Sequence, residues 1–190
     1  DAQGAETLTH YLSSHYTTTG ETIQLAMMTD DASLLKSMRS TFNRVRGMLD
    51  LSATTVAKTP SAWQNVVETT HGALGTTVVL SESDATPEAV DYIHKRGITV
   101  WVKQSNYSTT STASIMASGA GGIVSSNVSA TISARSIFEN DINGLTRAPL
   151  NIAHRGMSMG FYPNTIEGCQ ASIATGATHV EIDLYVTTDN

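Results

Sequence analysis

Apolar residues in this chain gather into short β-branched runs, separated by longer stretches in which they recur every three or four positions. The runs predict strands at residues 22–27 ("TIQLAM"), 47–51 ("GMLDL"), 76–80 ("TTVVL"), 98–103 ("ITVWVK"), 122–125 ("GIVS"), 150–153 ("LNIA") and 179–186 ("HVEIDLYV"). Their starts lie roughly 22 to 29 residues apart, the length of one β/α unit. The helical patterns between them carry their own start and stop signals. "DDASLLKSMRSTF" opens on acidic residues and spaces Leu34, Leu35 and Met38 along one face. "TPSAWQNVVETTHG" has Pro60 near its start, Trp63, Val66 and Val67 on a face, and Gly72 as its stop. In "TPEAVDYIHKRG", Thr86 is the N-cap, Pro87 the first helical residue and Gly97 the end, with Ala89, Val90 and Ile93 turned to the sheet. "NTIEGCQASIATGA" repeats the logic, with Asn164 or Thr165 as cap and Gly176 as terminator.

Strands alternating with helices at this period imply an α/β fold with a parallel sheet and right-handed crossovers. Seven such strands fit a doubly wound sheet or most of a β/α barrel, and the pattern alone does not choose. At 190 residues the chain can bury one sizeable core, whereas a full eight-stranded barrel typically takes about 250. One seam stands out at residues 139–150 ("ENDINGLTRAPL"), polar and containing Gly144 and Pro149. It divides the chain into regions 1–145 and 146–190.

A net charge of −6 argues against a general nucleic-acid or anionic-membrane binder, since either needs a basic surface. A few well-placed groups can still bind one phosphate. The single cysteine, Cys169, excludes an intrachain disulfide and any Cys-based zinc cluster. No apolar run reaches transmembrane length, and no basic-then-apolar N-terminus marks a signal peptide. The chain opens on "DAQGAE" without a Met and closes just after a strand-like segment, so the expectation is a piece of something longer.

The candidate chemistry lies in the last two predicted strands. Ligands of parallel β/α folds bind beyond the carboxyl ends of the strands, and His154 and Arg155 follow one such end. Glu181 and Asp183 stand two apart in the next strand, on one side of the sheet. They alternate with Val180, Ile182 and Leu184 in what should be a two-sided buried strand, where inner charges need a partner or a metal. Carboxylates bind hard divalent cations, Arg grips phosphate oxygens, and His moves a proton near neutral pH. The plain alternatives are a strand end followed by a turn for His-Arg-Gly, and a solvated edge face for Glu-x-Asp.

In "AHRGMSMGFYPNTIEGCQASIATGATHVEIDLYVTTDN" the order of "HRG", "PNT", "A…GA", "EID" and "T-x-D-N" resembles the opening of a glycerophosphodiester phosphodiesterase domain. That family commonly has Pro-Glu-Asn-Thr where this chain has Tyr162-Pro163-Asn164-Thr165. The resemblance implies a TIM-like barrel that hydrolyses small-molecule glycerophosphodiesters to an alcohol and glycerol phosphate, with Ca²⁺ or Mg²⁺. Carried over by position, His154 is a catalytic acid/base, Arg155 a phosphate-binding group, and Glu181 and Asp183 metal ligands. A second catalytic His and a further ligand Glu of the family would fall beyond "TTDN".

Upstream, "TPEAVDYIHKRGITVWVKQSN" followed by "ASIMASGAGGIVSSN" is similar to the closing segments of the same family. Lys103-Gln104 replaces the usual Thr-Val there, and Ser126-Asn127 the usual Thr-Asp. The expectation is therefore an incomplete or permuted barrel: a degenerate barrel-like β/α region over 1–145, then the start of a catalytic barrel over 146–190. Open sheet edges in such a piece could be covered by a homo-oligomer. The compartment stays open, with a secreted or cell-surface setting favoured. The rival readings are a non-catalytic barrel-like binding or assembly module, and another phosphodiesterase acting on phospholipid head groups.

Remaining polar residues carry plainer expectations. Lys103 is a solvated lysine, although it could reach a phosphate from its strand end. His71 and His94 are surface residues of helices, and His10 and His15 belong to terminal structure or disorder. Asn106 and Asn127 fit the glycosylation acceptor pattern, and Gly119, Gly121 and Gly122 make a turn into a strand.

Overall fold

The computed structural model describes residues 2–19, 25–139, 152–157 and 160–184. The chain divides into two compact units, Asp1–Leu145 and Thr146–Asn190. In the first, α1 (Ala2–Thr19) precedes β1 (Ala26–Thr29), α2 (Ala32–Thr41), β2 (Arg46–Asp50), α3 (Pro60–Gly72), β3 (Thr77–Ser81) and α4 (Pro87–His94). Then follow β4 (Thr99–Lys103), α5 (Thr109–Ala117), β5 (Gly122–Val124) and α6 (Val128–Glu139). The expected strand at 22–27 lies partly outside the described residues and is found as β1, paired from Ala26↔Arg46 to Thr29↔Leu49. The expected seam lies outside them from residue 140 onward.

Topology settles what periodicity left open. All pairings are parallel, and the strands lie side by side in chain order, β1-β2-β3-β4-β5. A doubly wound sheet reverses its order at a switch point. Here no reversal occurs, so successive right-handed crossovers stack their helices on one face. The result is the curled half-barrel of an incomplete TIM-like fold. Val78, Leu80, Val100 and Val102 point to the helices, where they meet Val66, Val67, Val90, Ile93 and Ile115. On the opposite face Met48, Thr77 and Val79 are also buried, as the interior of a curled sheet requires.

The caps explain why the helices start where they do. Asp31 accepts from the Ser33 and Leu34 N–H groups, Thr59 from Ala62, Thr86 from Ala89, and Ser108 from Ser111. Gly97 closes α4 at φ +80. α3 stops at Gly72 as expected, but the left-handed residue past its end is Leu74 (φ 56), and Gly75 follows where an added Cβ would meet the Thr70 carbonyl oxygen at 3.1 Å. No helix is expected over residues 2–19, yet α1 forms. Its polar sequence hides the periodicity, and its place is set by packing, with Leu12 and Tyr16 against the cluster of Met27, Met38, Phe42 and Val45. Among the described residues no helix is long and apolar enough to cross a membrane.

The second unit holds β6 (Ile152–Ala153), α7 (Ile166–Ala174) and β7 (His179–Val180). The strands are parallel, Ile152 opposite His179 and Ala153 opposite Val180. The Glu181 N–H donates to the Ala153 carbonyl at 2.9 Å, carrying the ladder one residue past β7.

Leu80, fully buried on β3, gives a direct test of the packing. Leu80→Ala is expected to cost about 2–5 kcal/mol, read as a lower urea midpoint at unchanged m-value. A loss below about 0.5 kcal/mol, the ordinary range of surface substitutions, contradicts this core.

Candidate active site

Parallel pairing brings the ends of β6 and β7 to one edge of the second unit, and the four residues singled out in the sequence follow those ends directly. Arg155 organises the arrangement. Its backbone is left-handed (φ 57), a conformation uncommon for any residue with a side chain. Its N–H donates to Glu181 Oε2 at 3.0 Å, while its guanidinium Nε stands 2.8 Å from Asp183 Oδ2. Arg155, Glu181 and Asp183 are therefore brought together. His154 is exposed, and among the described residues its ring takes no hydrogen bond; the structure does not join it to the carboxylates.

The loop shape depends on two further residues. Gly156 has φ +77, and a Cβ there would lie 2.9 Å from the Gly168 carbonyl carbon and 3.0 Å from the Cys169 nitrogen. The loop thus lies against the first turn of α7, and the Met157 N–H donates to the Gly168 carbonyl at 3.0 Å. Thr165 is the cap of α7, accepting from the Gly168 N–H at 3.2 Å. That resolves the choice between Asn164 and Thr165. Asn164 sits one residue earlier at φ 61, donates its N–H to the Arg155 carbonyl at 3.0 Å, and accepts from the Asp183 N–H at 3.0 Å. In the sequence Asn164 offers itself as a cap and as part of the "PNT" motif, not as a link between the two strand ends. Its position ahead of a second cap-competent residue was the available signal for another role.

The energetics indicate placement rather than stability. The Arg155 and Asp183 side chains keep 46% and 29% of their exposure, and an ion pair this accessible contributes only about 0–1 kcal/mol. Among the described residues no group of three or more His, Cys, Asp or Glu could hold a metal. Glu181 and Asp183 each commit one oxygen to Arg155, and the other oxygen of each has no partner among the described residues. Two oxygen donors are a partial ligand set, of the kind Mg²⁺ accepts when water and substrate phosphate complete its shell.

The corresponding end of the first unit is occupied differently. Asp50, at the end of β2, accepts from the Ser52 N–H and hydroxyl and pairs with Lys103 Nζ at 3.1 Å. Lys103 is thus ion-paired rather than simply solvated. Glu82, just after β3, accepts from the Ser105 and Asn106 N–H groups and from the Ser105 and Ser111 hydroxyls. Asp84 is buried and takes the Val56 N–H. Partial burial raises the pKa of Asp50 and Glu82, but their hydrogen bonds outweigh it and hold both below the usual carboxylate value. His94, expected at the surface, is half-buried and accepts from the Val100 N–H at 3.1 Å, tying α4 to β4. His71 is exposed as expected.

No family model matches the chain, and no curated protein matches it. Solved structures do. One described as a glycerophosphoryl diester phosphodiesterase, from Silicibacter pomeroyi DSS-3, has a TM-score of 0.53 at 17% identity, over 73% of this chain and 47% of its own. A glycerophosphodiester phosphodiesterase from Agrobacterium tumefaciens str. C58 has a TM-score of 0.53 at 14% identity, over 67% of this chain and 52% of its own. The likeness is one of fold: an incomplete TIM-like barrel resembling the family that residues 153–190 resemble in motif. The chain spans about half the length of the solved structures it matches.

Two expectations follow. Gly156→Ala should weaken the second unit by about 1–3 kcal/mol of local opening free energy, seen as faster amide exchange at Met157 and Glu181; unchanged exchange contradicts the close approach. Glu82 has a folded pKa below its unfolded value of about 4.3, so its contribution is present above that value and is lost as pH falls through the folded pKa. Glu82→Gln should therefore lower the urea midpoint at pH 7, by an amount that shrinks as pH falls through the acid range. A difference that stays constant as pH falls contradicts it.

Proposed function

We propose that the second unit carries the front of a metal-dependent phosphodiesterase site that cleaves glycerophosphodiesters into an alcohol and glycerol phosphate. The observation that carries this reading is the joining of Arg155 to both Glu181 and Asp183 at the carboxyl ends of parallel strands. The fold likeness to solved phosphodiesterases supports it. Arg155 spends Nε on Asp183, and among the described residues its Nη groups donate to nothing, which leaves them for phosphodiester oxygens. His154, exposed beside it, delivers a proton to the departing alkoxide or takes one from water. Glu181 and Asp183 would hold Ca²⁺ or Mg²⁺ through their remaining oxygens. Such an ion, when bound, polarises the phosphoryl group and offsets its charge.

A second reading has its own observation. In the first unit the acidic groups at the strand ends are spent on Ser52, Lys103, Ser105, Asn106, Ser111 and Val56. That pattern supports a non-catalytic, barrel-like binding or assembly module for residues 1–145.

The test is calcium binding by calorimetry, followed by release of glycerol phosphate from glycerophosphocholine. Calcium is expected to bind and to be lost in the Glu181→Gln, Asp183→Asn double variant. With only the front of the site this chain is expected to turn over slowly or not at all, and any turnover it shows should vanish with chelator and fall about 10²–10⁴-fold in His154→Ala. No calcium binding, or turnover indifferent to chelator and to His154, overturns the proposal.

A further inference from the structure

We infer that Asn164 is a positioning residue for the Arg155–Asp183 pair, an inference that rests on the reading of the site given above. Arg155 follows β6 and Asp183 follows β7, and a single residue bonds the backbone of both. The Asn164 N–H donates to the Arg155 carbonyl and its Oδ1 accepts from the Asp183 N–H, each at 3.0 Å. Together with the Nε–Oδ2 contact at 2.8 Å, these bonds close a ring of three residues. Asn164 thereby fixes the separation of the two backbones from which the guanidinium and the carboxylate extend.

Two observations separate this role from helix capping. The side-chain cap of α7 is Thr165, whose hydroxyl accepts from the Gly168 N–H, so the Asn164 carboxamide is not spent on the helix. The left-handed backbone of Asn164 (φ 61) suits Asn because its short polar side chain tolerates that region, and Gly tolerates it equally. The conformation alone does not require the carboxamide; the bond to Asp183 does. That bond also satisfies the N–H of a residue proposed to hold a cation, in the manner of outer partners that orient metal ligands.

The substitutions follow from this division. Asn164→Gly keeps the backbone conformation and removes the acceptor. Asn164→Asp keeps an acceptor for the Asp183 N–H. Thr165→Ala removes the cap and leaves the ring of three intact. Calcium affinity, measured by calorimetry on the whole chain, should fall about tenfold or more in Asn164→Gly. It should return to within about threefold of the parent in Asn164→Asp, and change less than about threefold in Thr165→Ala. A second readout needs no cation: exchange of the Arg155 Nε–H proton with water, followed by NMR, should quicken severalfold in Asn164→Gly and stay near the parent rate in Thr165→Ala. Unchanged Arg155 exchange in Asn164→Gly overturns the inference about Asn164 while leaving the proposed function standing. Equal effects of the two variants on Arg155 exchange also overturn it, since Asn164 would then act only through the helix. A parent chain that binds no calcium but shows the expected change in Arg155 exchange sinks the proposed function and leaves the positioning role intact.

Discussion

The second unit turns on the left-handed backbone of Arg155. With φ at 57, the residue turns its N–H toward Glu181 while its side chain reaches Asp183. A conformation that L-residues avoid persists where its surroundings over-determine it. Here those surroundings are Glu181 on one side, Asn164 on the other, and Gly156 pressed against the first turn of α7. Because the Arg155–Asp183 pair is half exposed, its contribution to stability is small. What it supplies is position; among the described residues the terminal guanidinium nitrogens and one oxygen of each carboxylate have no partner.

The two units use the same geometry to different ends. Parallel strands gather their carboxyl ends at one edge, so acidic residues just past those ends meet whatever the neighbouring loops offer. In the first unit the loops offer backbone N–H groups, hydroxyls and the Lys103 ammonium, and the carboxylates of Asp50, Glu82 and Asp84 are consumed in holding the loops. In the second, among the described residues, Arg155 meets both Glu181 and Asp183 and leaves donors and acceptors over. A saturated rim holds loops in place, whereas a partly open one can bind.

Much of the fold was legible. The β/α period, the cap at Thr86, and the stops at Gly72 and Gly97 follow from local chemistry, and each is found where the pattern places it. The strand order was not legible, because doubly wound and barrel-like sheets share one local pattern and differ only in which strands meet. Nor was α1, whose polar sequence is held by packing on Phe42 and Met38 rather than by its own periodicity. Within the site, the residue types at 154, 155, 181 and 183 announced a chemistry. The pairing of Arg155 with both carboxylates depended on loop conformation, as did the part played by Asn164. Residue spacing records which side of a strand a group occupies, but not where a left-handed turn aims an N–H.

The central proposal is that cation-binding capacity lies at Glu181 and Asp183, placed by Arg155, and not at the similarly acidic rim of the first unit. The most direct measurement is the NMR spectrum of the ¹⁵N-labelled chain titrated with Mn²⁺, whose unpaired electrons broaden nearby amide signals. The account predicts early broadening at Ala153, His154, Arg155, Asn164, Glu181 and Asp183, with Asp50, Glu82 and Asp84 sharp at the same metal concentration. Broadening that begins at Asp50 and Glu82, or that spreads evenly over the acidic surface, would contradict it.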